Sequence, residues 1–231
     1  MDDGVGSKHS GSVVSQYDTI HLLLSPPSEC TKNYVEGRAD LALLPAAAVP
    51  SLKSTEVITE YCIGAVGPVR TVVLLSDGPV SEVRRVFLDP HSQTSVQLVG
   101  YLAAHRWKIA PEWYSLEGDA FLLIGDKVFD HEEKFRYKYD LAAEWQAATK
   151  LPFAFAVWVA RKGTPYEVIE SLQHALTFGL EHTYEAILEA GFDKKPYDAY
   201  EYLTRNIDYI FDNQKRRALQ KFWDSGLKVS P

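Results

Sequence analysis

Two apolar runs decide the fold class: Ile20-His21-Leu22-Leu23-Leu24 and, past Gly37, Ala39-Asp40-Leu41-Ala42-Leu43-Leu44-Pro45. The first is stopped by Pro26-Pro27 and reads as a short strand. Ser28-Glu29-Cys30 then opens a helix, with Ser28 placed to cap it and Gly37 to end it. The second run is compact, apolar and closed by a proline, as a buried strand is. Strand, helix and strand make a β-α-β unit, whose two strands are expected to pair in parallel.

Working outward, Tyr61–Ser76 is extended sequence interrupted at Gly64 and at Gly67-Pro68. Val83–Asp89 reads as another strand. The polar stretch His91-Ser92-Gln93-Thr94-Ser95 then opens a helix over Val96–His105. Ala120–Asp126 is a strand, Leu141–Thr149 a helix and Phe153–Val159 a strand. From Thr164 onward the periodicity is helical, in three segments: Pro165–Phe178, Leu180–Gly191 and Tyr197–Asp224. The chain is therefore α/β with a helical C-terminal segment. A strand-rich middle flanked by segments able to share another sheet predicts two lobes. Residues 1–75 with 160–231 form lobe one, and 77–155 form lobe two. Two crossings, near Ser76–Val80 and Leu151–Ala160, make a hinge with a ligand cleft between the lobes.

Composition narrows the function. Hydrophobic residues are 46% of the 231, enough for a large core. The net charge of −7 argues against nucleic acid as a partner, because such binders carry a basic face. The run Gln214-Lys215-Arg216-Arg217 reads as a solvated helix face. Cys30 and Cys62 stand apart, with neither a zinc-ligand spacing nor a disulfide framework around them. Met1–Ser12 has no apolar core of a signal peptide, and Leu41–Pro50 is too short to span a bilayer. These features predict a cytoplasmic protein, with no membrane partner and no metal.

The chemistry-bearing residues are few. Ser92, Thr94 and Ser95 stand between a strand and a helix, where free N–H groups and hydroxyls make an anion site or simply cap the helix. No glycine-rich phosphate loop accompanies them, so the anion is expected to be a carboxylate. Thr71 comes just after Gly67-Pro68 and can reach the same cleft, whereas alternation turns Arg70 to the opposite face. Asp126 ends a buried strand, where α/β proteins place ligand groups, and is also positioned to cap the next segment.

In these stretches the chain resembles the chorismate dehydratase family of the futalosine route to menaquinone. The matching residues are Pro27-Ser28-Glu29-Cys30, Gly37–Pro45, Tyr61–Val72, Asp89, Ser92–Ser95, Leu123–Asp126, Asp140–Trp145 and Leu151–Trp158. The resemblance covers about residues 20–225. It implies a two-lobed, periplasmic-binding-protein-like (type II) fold and a lyase that removes water from chorismate, giving 3-[(1-carboxyvinyl)oxy]benzoate. Loss of the ring C3 proton and the C4 hydroxyl aromatises the ring, so no cofactor is implied. The substrate that the resemblance implies is a small dicarboxylate. By resemblance, Thr71 takes the place of a pocket serine, Ser92, Thr94 and Ser95 bind a carboxylate, and Phe153 and Phe155 wall the cleft. The other class compatible with these residues is a non-catalytic solute-binding or sensor protein for a small carboxylate.

The N-terminus departs from the family, which opens with a strand and a loop carrying a Ser-Tyr-x-Asn-type asparagine. The residues before His21 begin Met1-Asp2-Asp3-Gly4-Val5-Gly6-Ser7-Lys8-His9-Ser10 and carry no such motif. The expectation is a gap in the lobe-one sheet and an enzyme impaired by it.

Overall fold

The computed structural model describes residues 12–13, 20–88, 92–114, 116–195, 197–226 and 229. Asp89-Pro90-His91 and residues 1–11 lie outside them, and with them part of the polar stretch before the second helix and most of the divergent N-terminus.

The strands are β1 (Ser12–Val13), β2 (Ile20–His21), β3 (Leu41–Pro45), β4 (Thr55–Ala65), β5 (Val72–Ser76), β6 (Arg85–Phe87), β7 (Glu112–Tyr114), β8 (Ala120–Ile124), β9 (Tyr137–Asp140), β10 (Phe153–Arg161) and β11 (Asp208–Ile210). One sheet has the order β11-β4-β10-β3 and is antiparallel throughout. A second has the order β7-β6-β8-β5-β9, parallel at the β7-β6-β8 end and antiparallel at the other. The chain leaves the first sheet after β4 and returns to it at β10. The helices are α1 (Pro27–Val35), α2 (Gln93–Leu102), α3 (Lys127–His131), α4 (Leu141–Thr149), α5 (Tyr166–Glu181), α6 (Thr183–Glu189), α7 (Ala199–Glu201) and α8 (Asn213–Asp224).

Strand β10 organises the first sheet. It lies between β3 and β4, and Phe153, Ala154, Val157, Val159 and Ala160 expose none of their surface. A continuous apolar run suits a strand covered on both faces. On one side Tyr34 of α1 and Leu219 of α8 pack with Leu44 and Val157. A larger cluster joins the sheets: Leu74 and Leu122 from the second, Phe153 and Phe155 from β10, Trp145 of α4 and Phe222 of α8. Aromatic side chains bury roughly 150–250 Å² each, so the Trp145-Phe153-Phe222 triangle carries much of the cohesion between the sheets.

Four readings of the sequence are corrected. The β-α-β unit is present in order, but its strands do not pair: β2 pairs antiparallel with β1, and β3 pairs antiparallel with β10 through Leu43↔Trp158 and its neighbours. Strand β10 offers all five β3 residues a partner, whereas Leu22, Leu23 and Leu24 remain 56%, 53% and 73% exposed and join no ladder. The segment Tyr197–Asp224 is not one helix. Asp208–Ile210 adds as β11 to the edge of β4, and Asp212 restarts the helix by accepting the Lys215 N–H at 2.8 Å. Helix α1 begins at Pro27, so Pro26 occupies the cap position expected for Ser28. Finally, Lys215 is not on a solvated face. It is 1% exposed, and its ammonium donates to Asp208 Oδ1 at 2.7 Å and to the Ile210 carbonyl at 2.8 Å.

Among the described residues β3 has no partner on its second edge. No helix among them is long and apolar enough to cross a membrane.

Candidate functional site

The N-terminus of α2 is the first polar centre. Ser92, Thr94 and Ser95 are buried, with 7%, 4% and 3% of their surface exposed. The Thr94 hydroxyl donates to the Phe155 carbonyl of β10 at 3.0 Å and accepts the Ala47 N–H at 3.2 Å. Those two bonds hold the start of α2 against the backbone of the first sheet, so the helix opens where the two sheets meet. Ser92 occupies the N-cap position, yet its side chain accepts no capping bond. Neither its hydroxyl nor that of Ser95 is engaged by another described residue. The ten-residue helix α2 thus begins without a side-chain cap on its first N–H groups, beside the hydroxyls of two buried serines that bond to no other described residue.

The second centre surrounds Thr71, at the entry to β5. Its hydroxyl shares a 2.7 Å hydrogen bond with the phenol of Tyr202, and its carbonyl accepts the Gly125 N–H at 2.8 Å. The β5–β8 pairing therefore brings Thr71 beside the turn that carries Asp126. Asp126 accepts from Tyr197 Oη at 3.2 Å and from Lys195 Nζ at 3.3 Å. Phe129 stacks on Tyr197 at 4.0 Å and meets Tyr202 edge-on, which fixes both phenols. Burial pushes the Tyr202 phenol above its ordinary range, so it stays a proton donor. Tyr197 is pushed up to about 12, by burial first and then by the Asp126 charge.

Asp140 ties this centre to the second sheet. It accepts from the N–H groups of Ala142 and Ala143, which caps α4, and from the Arg70 N–H at 2.7 Å. Burial raises its pKa even against those bonds. Arg70 has φ +67 and lays its guanidinium over Phe129 at 5.4 Å, so it packs on the wall of this centre.

Phe153, expected to line a cleft, exposes no surface; it is a core residue wedged between Trp145, Phe155 and Phe222. Phe155, 9% exposed, accepts the Thr94 hydroxyl through its carbonyl, while its ring packs on Phe153 at 4.9 Å. Sequence reasoning misses Tyr202, Tyr197 and Ala47. Tyr202 falls in a segment whose periodicity reads as continuous helix, and only the structure brings residues 71 and 202 together. Among the described residues no group of three or more His, Cys, Asp or Glu is placed to hold a metal ion.

Residues 13–227 match the family model described as menaquinone biosynthesis. The chain belongs to that family. One relative, the chorismate dehydratase of Thermus thermophilus, is 26% identical over 244 aligned residues, covering 92% of this chain and 89% of that one. Among solved structures, protein AF1704 from Archaeoglobus fulgidus superposes with a TM-score of 0.64 at 18% identity, covering 89% of this chain and 84% of that one. An ABC transporter protein from Parabacteroides distasonis gives 0.60 at 13% identity, covering 92% and 83%. The Candida albicans CA3427 gene product, described as having the generic periplasmic binding protein fold, gives 0.56 at 11% identity, covering 89% and 79%. This family member thus has a two-lobed, periplasmic-binding-protein-like α/β fold.

Proposed function

We propose that this protein is a chorismate dehydratase, eliminating water from chorismate to give 3-[(1-carboxyvinyl)oxy]benzoate. The observation that carries the reading is the uncapped start of α2, with the hydroxyls of buried Ser92 and Ser95 uncommitted. A dianion bound between lobes 1–75 with 160–231 and 77–155 would set one carboxylate on those N–H groups and hydroxyls. Thr94 then serves as the tie between lobes, since Ala47 and Phe155 already engage it.

The reaction needs two things besides binding: loss of the C3 proton and departure of the C4 hydroxyl as water. The Thr71–Tyr202 pair supports the second. A phenol kept protonated by burial can donate through the threonine hydroxyl to the leaving oxygen, and the proton lost from C3 returns to the phenol by way of solvent, so that one water leaves in all. Aromatisation supplies the driving force. The protein's task is to orient the ring and exclude water, which the aromatic surroundings of Phe129, Tyr197 and Phe155 favour. The similarity to the Thermus thermophilus dehydratase supports the substrate assignment.

Incubation with chorismate, with chromatography of the mixture, tests the proposal. Appearance of the benzoate product assigns the lyase. Calorimetric binding of chorismate without product assigns a solute-binding role instead.

A further inference from the structure

On the face of the molecule where α8 passes α2 and α4 lies a groove of about 1050 Å³. Its walls come from both sides of the crossing at Leu151. Tyr101, His105 and Lys150 belong to the α2 and α4 region, which packs on the second sheet; Arg217, Lys221 and Asp224 belong to α8, which packs on β10. The α8 residues recur at intervals of four and three and therefore share one helix face.

The charges are concentrated against the overall balance of the protein. Lys150, Arg217 and Lys221 form no ion pair with any described residue, while Asp224, the groove's one carboxylate, accepts from Gln220 at 2.7 Å. Three permanent cations against one carboxylate leave a local excess of two positive charges, on a chain whose net charge is −7. A second observation is independent of charge. Tyr101 is 8% exposed and lines the groove, yet its hydroxyl bonds to no described residue. Burial pushes that phenol above its ordinary range, so it is a donor. His105 packs its ring on that of Tyr101, with the ring centroids 4.5 Å apart. No buried side-chain polar atom among the described residues lacks a partner, so the Tyr101 hydroxyl meets solvent in the groove and is open to a ligand beside the unpaired cations.

We propose that this groove is a second binding site, separate from the α2 N-terminus, that takes a small phosphorylated molecule. Phosphate fits better than a monocarboxylate. The Arg217 fork suits two phosphate oxygens, and the separated cations suit more than one anionic group. Because the walls lie on either side of the crossing, the bound anion links the two lobes at their hinge. It stabilises whichever lobe arrangement brings α8 nearest to Lys150, and by linkage alters ligand affinity in the cleft.

The test is calorimetry with pyrophosphate at constant ionic strength and without chorismate, so that it does not depend on the proposed reaction. Wild type should bind. R217E combined with K221E should weaken binding by tenfold or more, and Y101F by a few fold, with circular dichroism unchanged. Inorganic phosphate should bind more weakly than pyrophosphate if the separated cations act together. Equal binding of pyrophosphate by wild type and the double variant, or no binding by wild type at about 5 mM, would overturn the proposal.

Discussion

The Thr71 hydroxyl and the Tyr202 phenol lie 2.7 Å apart although 131 residues separate them in the chain. Their bond joins the entry of β5 to the segment between α7 and β11, and edge contacts from Phe129 and Tyr197 hold the Tyr202 ring. If this pair assists departure of the hydroxyl, Y202F should lower kcat by roughly tenfold or more and change KM little, as general-acid assistance is worth about 10²–10⁴. T71V should do the same, and the double variant should lose no more than the worse single one, because the residues act as one unit. Steady-state kinetics on the three variants check this. Additive losses would separate the two roles.

The buried Lys215 yields a stability prediction. Its ammonium has one carboxylate partner, Asp208, whose side chain is 36% exposed. D208N should cost about 2–4 kcal/mol, toward the lower part of the range for a broken buried pair because Asp208 keeps solvent contact. K215M keeps the stem's packing and should cost less than D208N. Gly64 makes room for this lysine: a Cβ there would stand 2.6 Å from the Phe153 carbonyl oxygen and 2.9 Å from Lys215 Cε. G64A should therefore also destabilise, by more than about 1 kcal/mol. Urea unfolding measures all three.

Much of the architecture was legible in the sequence. The succession of the longer strands and helices, β10 among them, and the polar opening of α2 are set by local periodicity and capping chemistry. Pairing was not, because β3 chooses β10 over β2 through contacts between residues distant in the chain, such as Leu43 and Trp158. Short edge strands such as Glu112–Tyr114 and Tyr137–Asp140 carry too few residues to show a period. Lys215 looks solvated in the sequence because its neighbours Gln214, Arg216 and Arg217 are polar; only the fold of β11 beneath α8 buries it.

The two thiols should differ in reactivity. Burial pushes Cys62 up to about 12, while half-buried Cys30 is raised by the same cause. In native protein at about pH 8, a soluble thiol reagent should modify Cys30 slowly and leave Cys62 untouched until the protein unfolds. Mass spectrometry of peptides after timed labelling checks this; rapid labelling of Cys62 would mean that the first sheet opens locally.

The raised phenols set the alkaline limit. Tyr197 and Tyr209 are both pushed up to about 12, chiefly by burial, from an ordinary value near 10. The folded state then holds its phenolic protons where the unfolded state releases them. Stability from these groups is complete below about pH 10 and falls as pH rises toward 12. Thermal unfolding tracked from about pH 8 to about pH 11 should show a decline that begins near 10, and Y209F should make that decline shallower.

The most direct test is the rate of chorismate dehydration by wild type and by S92A combined with S95A. The account predicts that wild type forms 3-[(1-carboxyvinyl)oxy]benzoate. It predicts that the double variant, still folded, loses about a hundredfold or more in kcat/KM, mainly through KM, since each of the two hydrogen bonds to a charged group contributes about 1.5–3 kcal/mol. Equal kcat/KM in the two proteins, or no product from wild type, would contradict it.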